Sequence, residues 1–258
     1  MNLDQIKIYI LAALASLIAL TLHEVSHGYA AYKLGDSTAK NLGRLSINPL
    51  KHLDPIGTLC MIFFHFGWAK PVPINPRNFD LERKNGKRRT MKGCFAITAL
   101  AGPLTNIVLG FFGTGLFLLV YASVRDVRYT SEFLYNLTSN TLIFLQLFYS
   151  VNIGLGLFNL VPIPPFDGSR LLNVILPERL YFKIMRYERQ IYLGVLAWLL
   201  VGDIVATALR SLPFIAATPW LNFAVGIFSL SGMIGSVINF VTGLMLKLWM
   251  LIPFLRLY

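Results

Sequence analysis

Long uncharged, mostly apolar runs alternate with short polar stretches along these 258 residues. The uncharged runs cover positions 8–22, 93–124, 133–166 and 211–246, and a further apolar run, 190–209, is interrupted only by Asp203. A helix needs roughly 20 mostly apolar residues to cross a bilayer. The three longer runs exceed that, and the first is extended by the polar motif that ends it. The pattern predicts an all-α polytopic membrane protein with about five transmembrane helices. The first helix is expected over residues 3–34, with Gly35-Asp36-Ser37 as its stop signal. A second begins at Gly93, a third occupies 140–161, and the last two cover 190–210 and 222–248. Residues 168–190 read as an amphipathic surface helix, with Leu171, Leu172, Val174 and Ile175 followed by Tyr181, Phe182, Ile184 and Met185.

Residues 36–92 are less regular. Two similar pieces occur there, Arg44-Leu45-Ser46-Ile47-Asn48-Pro49 and Lys70-Pro71-Val72-Pro73-Ile74-Asn75-Pro76. Their alternation and prolines suit short β-strands at an edge. Between them, residues 55–69 are apolar but too short to span and read as a re-entrant or interfacial segment. His65 lies in it, and His52 just before it. Both are read first as locally partnered side chains, with His52, polar-flanked, the better ligand candidate of the two. Asp203 reads as a packing or near-interface charge.

Composition supports the membrane reading. The chain is 55% hydrophobic and only 14% charged, against about 25% charged in a typical soluble protein. The formal charge of +11 points to nucleic acid only until the charges are placed. Of 23 Lys and Arg, 12 fall in 33–92 and five in 168–190. Lys247 and Arg256 lie near the C-terminus. Basic residues favour the cytoplasmic side, so alternate loops carry them, as one consistent topology requires. The N-terminus is then outside, 33–92 and 168–190 inside, and the C-terminus inside. The cluster Arg83-Lys84, Lys87-Arg88-Arg89 and Lys92 pins the start of a span, with attraction to anionic lipid; no nucleic-acid partner is implied. Cys60 and Cys94 are isolated and without CxxC spacing, which excludes a thiolate-metal or redox pair.

The chemistry-bearing motif is His23-Glu24-Val25-Ser26-His27, at the end of the first apolar run. Ionisable side chains in a membrane helix are functional candidates by default. Histidines at i and i+4 share one helical face and can share one metal ion, and the Glu beside the first can act as general base. A catalytic zinc needs a third protein ligand and an open fourth position. Asp167 fits: a 34-residue uncharged run ends at it, after Asn159-Leu160-Val161-Pro162-Ile163-Pro164-Pro165-Phe166. The prolines break the helix, and Gly168 is expected to let the chain turn. The charge map puts Asp167 at the same cytoplasmic depth as His23 and His27. Asn106, in Ala101-Gly102-Pro103-Leu104-Thr105-Asn106, needs a partner in its apolar helix, either as packing glue or at the site.

At these residues the sequence resembles the site-2 protease family of intramembrane zinc metalloproteases. The resemblance runs over about residues 5–175 through the HExxH, the Gly102-Pro103…Asn106 helix and Asn159…Pro164-Pro165-Phe166-Asp167-Gly168. Arg44–Pro49 and Gly67–Phe79 match the small bacterial and archaeal branch, and no PDZ-like or CBS-like stretch is present. The resemblance implies one Zn2+ per chain on His23, His27 and Asp167, with Glu24 as base. It implies a single membrane-embedded metalloprotease domain over 1–258, with its core at 5–175 and C-terminal helices at 176–258. It also implies a multi-pass cell-membrane protein acting on a single-pass membrane protein in the lipid bilayer, with the site near the cytoplasmic face. Asn159, and with it Asn106, is then a candidate substrate or oxyanion contact. The spacing departs from the usual Asn-Pro-x-x-Asp-Gly, since Asn159 stands eight residues before Asp167. The rival readings are a catalytically inactive zinc-binding scaffold and a metal transporter, neither of which needs Glu24.

Overall fold

Small side chains decide how the long helices meet. The computed structural model describes residues 2–64, 69–82, 88–218, 221, 225 and 230–255. His65, and Arg83, Lys84 and Lys87 of the basic cluster, lie outside the described residues, as does the side chain of Asp203. The helices are α1 (Leu3–Lys33), α2 (Thr38–Asn41), α3 (Pro55–Phe64), α4 (Met91–Val124) and α5 (Glu132–Asn159), then α6 (Leu172–Ile175), α7 (Glu178–Arg186), α8 (Glu188–Arg210), α9 (Pro213–Ala216) and α10 (Leu230–Trp249). Among the described residues, three helices are long and apolar enough to cross a membrane: α1, α4 and α5. They pack on one another, and α10 lies against α4 and α5.

On α4 the buried positions Cys94, Thr98, Gly102, Asn106, Gly110 and Thr114 recur every fourth residue. The opposite face carries Leu104, Val108, Phe112 and Leu116, each about half exposed or more. On α1 the buried side is Ala15, Ala19, Thr21, His23, His27, Gly28 and Ala31. The inner faces are thus small or polar and the outer faces large and apolar. That is the arrangement expected where lipid, not water, surrounds a bundle and close backbone approach drives packing.

α1 opens on a capping box between Asn2 and Gln5 and runs without interruption through the motif. It ends at Gly35, whose φ of 106° is open to glycine at little cost. The Asp36 amide then turns back to Ala31 O at 2.9 Å. The span expected at 140–161 begins earlier, at Glu132, because no breaker separates Ser131 from the apolar run.

Two expectations are corrected. Among the described residues there is no β-strand, only isolated bridges such as Leu53 to Ala69. Each piece that reads as a strand ends in Asn-Pro, and each becomes a 3-10 turn: Pro49–Lys51 and Pro76–Asn78. The Asn48 and Asn75 side chains accept the Leu50 and Arg77 amides, and proline fits the first turn position. Asn48 and Asn75, directly ahead of the turns, are extended, and the Arg44 and Lys70 amides donate to the Ala39 and His52 carbonyls. Second, the surface helix expected over 168–190 is broken into a 3-10 turn (Asp167–Leu171), α6 and α7. Pro177 forces Leu176 into extended geometry (φ −90°, ψ 149°) and ends α6.

Candidate metal centre

His23 and His27 sit one turn apart on the buried face of α1, only 4% and 7% exposed. Their Nε2 atoms are 3.0 Å apart. Asp167, 144 residues after His23, brings Oδ2 to 3.0 Å from His23 Nε2 and 3.1 Å from His27 Nε2. Among the described residues these three form the one His/Cys/Asp/Glu group whose ligand atoms are close enough to share an ion.

The far side of each ring shows where the protons are. His27 Nδ1 lies 2.7 Å from the Thr98 carbonyl, which can only accept, so Nδ1 donates. His23 Nδ1 lies 2.6 Å from Asn106 Oδ1. The Asn106 amide nitrogen gives its two hydrogens to Ala19 O (3.2 Å) and Asn152 Oδ1 (2.8 Å). Its oxygen therefore faces His23, and His23 Nδ1 donates as well. A neutral ring with its proton on Nδ1 presents an Nε2 lone pair. Both Nε2 atoms and one carboxylate oxygen converge where a single cation could be held. Two imidazole nitrogens and one carboxylate suit zinc, and three protein ligands leave a fourth position for reaction. The outward hydrogen bonds are what such histidines need to hold tautomer and orientation.

Two glycines make the convergence possible by their size. A Cβ on Gly102 would come within 2.4 Å of His27 Nε2 and 2.7 Å of His23 Cε1. α4 can press against the imidazoles only because that side chain is missing. A Cβ on Gly168 would lie 2.3 Å from Leu160 O and 2.6 Å from Val161 O. Gly168 is thus explained by close packing and not by a left-handed turn, because its φ is not positive. The segment between α5 and Asp167 folds back tightly, with a cis Pro164–Pro165 peptide and Phe158 against Phe166 at 4.0 Å.

Glu24 is half-buried, and its Oε2 accepts the Val72 amide at 2.8 Å. Asn106 meets the His23 ring at Nδ1, whereas Asp167 meets it at Nε2. It is fully buried behind His23, and its oxygen and both amide hydrogens are engaged within the protein. Asn159 donates to Leu155 O at 3.0 Å. His52 is buried, with Nε2 at 2.8 Å from the Ser46 carbonyl, and is outside the ligand group. Two groups were not anticipated. Asn152, fully buried, orients Asn106, but the run 133–166 also holds Asn136, Asn140 and Asn159, so the sequence alone does not single it out. The other is the Val72 amide, flagged by Pro71-Val72-Pro73, where only the central residue has an N–H.

The sequence profile of Peptidase family M50 matches residues 10–202. "Putative zinc metalloprotease YwhC" of Bacillus subtilis (strain 168) is 38% identical over 172 residues, 67% of this chain and 72% of that protein. "Putative zinc metalloprotease Rip2" of Mycolicibacterium smegmatis is 27% identical over 66% of this chain and 59% of its own length. "Zinc metalloprotease MJ0392" of Methanocaldococcus jannaschii is 27% identical over 63% of this chain but only 33% of its own length. No solved structure matches the chain.

Proposed function

Because the chain belongs to peptidase family M50, the site-2 protease family, and is a zinc metallopeptidase, we propose that it hydrolyses a peptide bond in or beside a transmembrane segment of a membrane protein. His23, His27 and Asp167 hold the ion, one per chain, and Glu24 is the general base. The observation that carries this reading is the convergence of the two Nε2 atoms on Asp167 Oδ2, inside a bundle whose outer faces are apolar.

Zinc bound there would act as a Lewis acid and lower the pKa of a water toward about 7. Asn106 and the Thr98 carbonyl fix the two imidazoles through their Nδ1 protons. Glu24 takes a proton from the attacking water as its oxygen bonds to the scissile carbonyl carbon. The C–N bond then breaks, and Glu24 passes the proton to the departing nitrogen. Asn159 gives one amide hydrogen to Leu155 O, and the second is the one that an oxyanion contact would use. A peptide bond inside a helix is shielded, so the substrate, a single-pass protein, unwinds and lies along the extended chain before Pro76. α8 and α10 complete about five spans with α1, α4 and α5. The N-terminus is outside and the site lies near the cytoplasmic face, which gives water a short path. An inactive scaffold or a transporter would use the same ligands and leave Glu24 without a task.

Comparison of membrane peptides in cells carrying wild type, His23→Ala or Glu24→Gln tests this. The same uncut membrane protein accumulates in both variants. Identical peptide profiles in all three strains would contradict the proposal.

A further inference from the structure

We propose that the main-chain N–H of Val72 is the positioning group for the Glu24 carboxylate, held over α1 by a strap clamped at both ends. The inference rests on the role proposed for Glu24. Val72 N lies 2.8 Å from Glu24 Oε2. Proline has no amide hydrogen, so in Pro71-Val72-Pro73 this is the one main-chain donor available. Hydrogen bonds to a carboxylate are about twice as strong as neutral ones.

The strap is fixed on either side of that donor. Upstream, the Arg44 guanidinium holds the Lys70 carbonyl at 2.8 Å and the Pro71 carbonyl at 3.3 Å, and the Lys70 amide donates to His52 O at 2.7 Å. Downstream, Asp36 accepts the Asn75 amide at 2.7 Å and the Asn78 side-chain amide at 3.0 Å. Val72 itself is 6% exposed. A Cβ on Gly28, one turn after Glu24, would lie 2.8 Å from Val72 Cγ1. The strap therefore meets α1 through a glycine, on the face that carries the base. Three clamps and one close approach all serve to bring a single N–H to one carboxylate oxygen. With Oε2 occupied, Oε1 is the oxygen left to accept a proton, and the side chain loses the freedom to turn away.

Two measurements test this. The first is hydrogen exchange by mass spectrometry on the zinc-loaded full chain, read on a fragment spanning Lys70–Asn75. Glu24→Ala speeds exchange at Val72 on the order of tenfold, as expected for loss of a charge-assisted bond, while Asn75, held by Asp36, stays protected. Unchanged exchange at Val72 overturns the proposal. The second is cleavage of a Lys-flanked, 20-residue Leu/Ala peptide with a central Asn-Gly pair, in vesicles. Val72→Pro, which deletes the N–H, lowers kcat roughly tenfold with KM and zinc content unchanged, and Val72→Ile, which keeps it, restores the rate. If Val72→Pro does not accumulate as folded protein, Arg44→Ala loosens the strap instead, and both faster Val72 exchange and lower kcat are expected. A Val72→Pro or Arg44→Ala chain with wild-type kcat overturns the positioning role alone. If wild type cleaves no such peptide, the membrane-substrate reading falls and the catalytic consequence with it, while the exchange result still decides whether Val72 holds Glu24.

Discussion

An imidazole offers a metal one nitrogen only if something else fixes the other. His23 has Asn106 for this purpose and His27 has the Thr98 carbonyl. The two arrangements differ in vulnerability. Thr98 O is main chain and survives substitution, whereas Asn106 is a side chain that Asn152 must in turn hold. Asn106→Ala is therefore expected to weaken zinc binding about 10–100-fold, read by competition with a chelator. Asn152→Ala should act in the same direction but less strongly, since Ala19 O still holds Asn106. Equal zinc affinity in wild type and Asn106→Ala would show that His23 needs no orienting partner.

Among the elements, α4 and the strap before Pro76 have the tightest tolerances. Gly102→Ala adds one methyl where His27 Nε2 would be 2.4 Å away. Overpacking of this kind costs about 1–3 kcal/mol. Here the atoms that must move are ligands, so the expected result is loss of bound zinc, measured by metal analysis, from a chain that still inserts and elutes normally. The strap depends on Asp36, fully buried with four donors around it from Thr38, Asn75 and Asn78. Burial pushes its carboxyl upward, but those hydrogen bonds outweigh it and hold the group below the usual carboxylate range. A folded value below the unfolded one means the stabilisation is present at neutral pH and is lost as pH falls through the folded value. Asp36→Ala should lower stability by about 2–3 kcal/mol at pH 7. The difference from wild type should shrink on acidification, as thermal unfolding at several pH values would show.

Across α1 and α4 small and polar residues line the helix contacts, and Phe112, Val108 and Leu104 look outward. Phe112→Arg, far from the site on an outer face of α4, should cost roughly 2.5–3.5 kcal/mol of insertion near mid-membrane. The corresponding observation is reduced membrane-integrated yield, with unchanged activity per bound zinc.

The three long helices and the candidate metal group were legible in the sequence for one physical reason: both are local patterns. An uncharged run of sufficient length, His at i and i+4, and a carboxylate after a proline-broken helix can each be seen without knowing the fold. α1 begins and ends within a residue of its expected bounds. What was not legible depends on which side chains meet. The sequence leaves Asn106 as packing glue or a group at the site, and its partners Ala19, Asn152 and His23 are visible only in the fold. The two Asn-Pro pieces read as strands because alternation says nothing about an asparagine capping its own turn. Gly168 reads as a turn residue because crowding against the Leu160 carbonyl cannot be seen in one dimension.

The most direct measurement compares purified wild type with Glu24→Gln, reconstituted in vesicles with a single-pass membrane peptide, with zinc determined on the same samples. One zinc per chain is expected in both, with cleavage slowed about 10²–10⁴-fold in Glu24→Gln. Cleavage at the wild-type rate by a zinc-loaded Glu24→Gln chain would contradict the assignment of Glu24 as the base that sends water to the peptide bond.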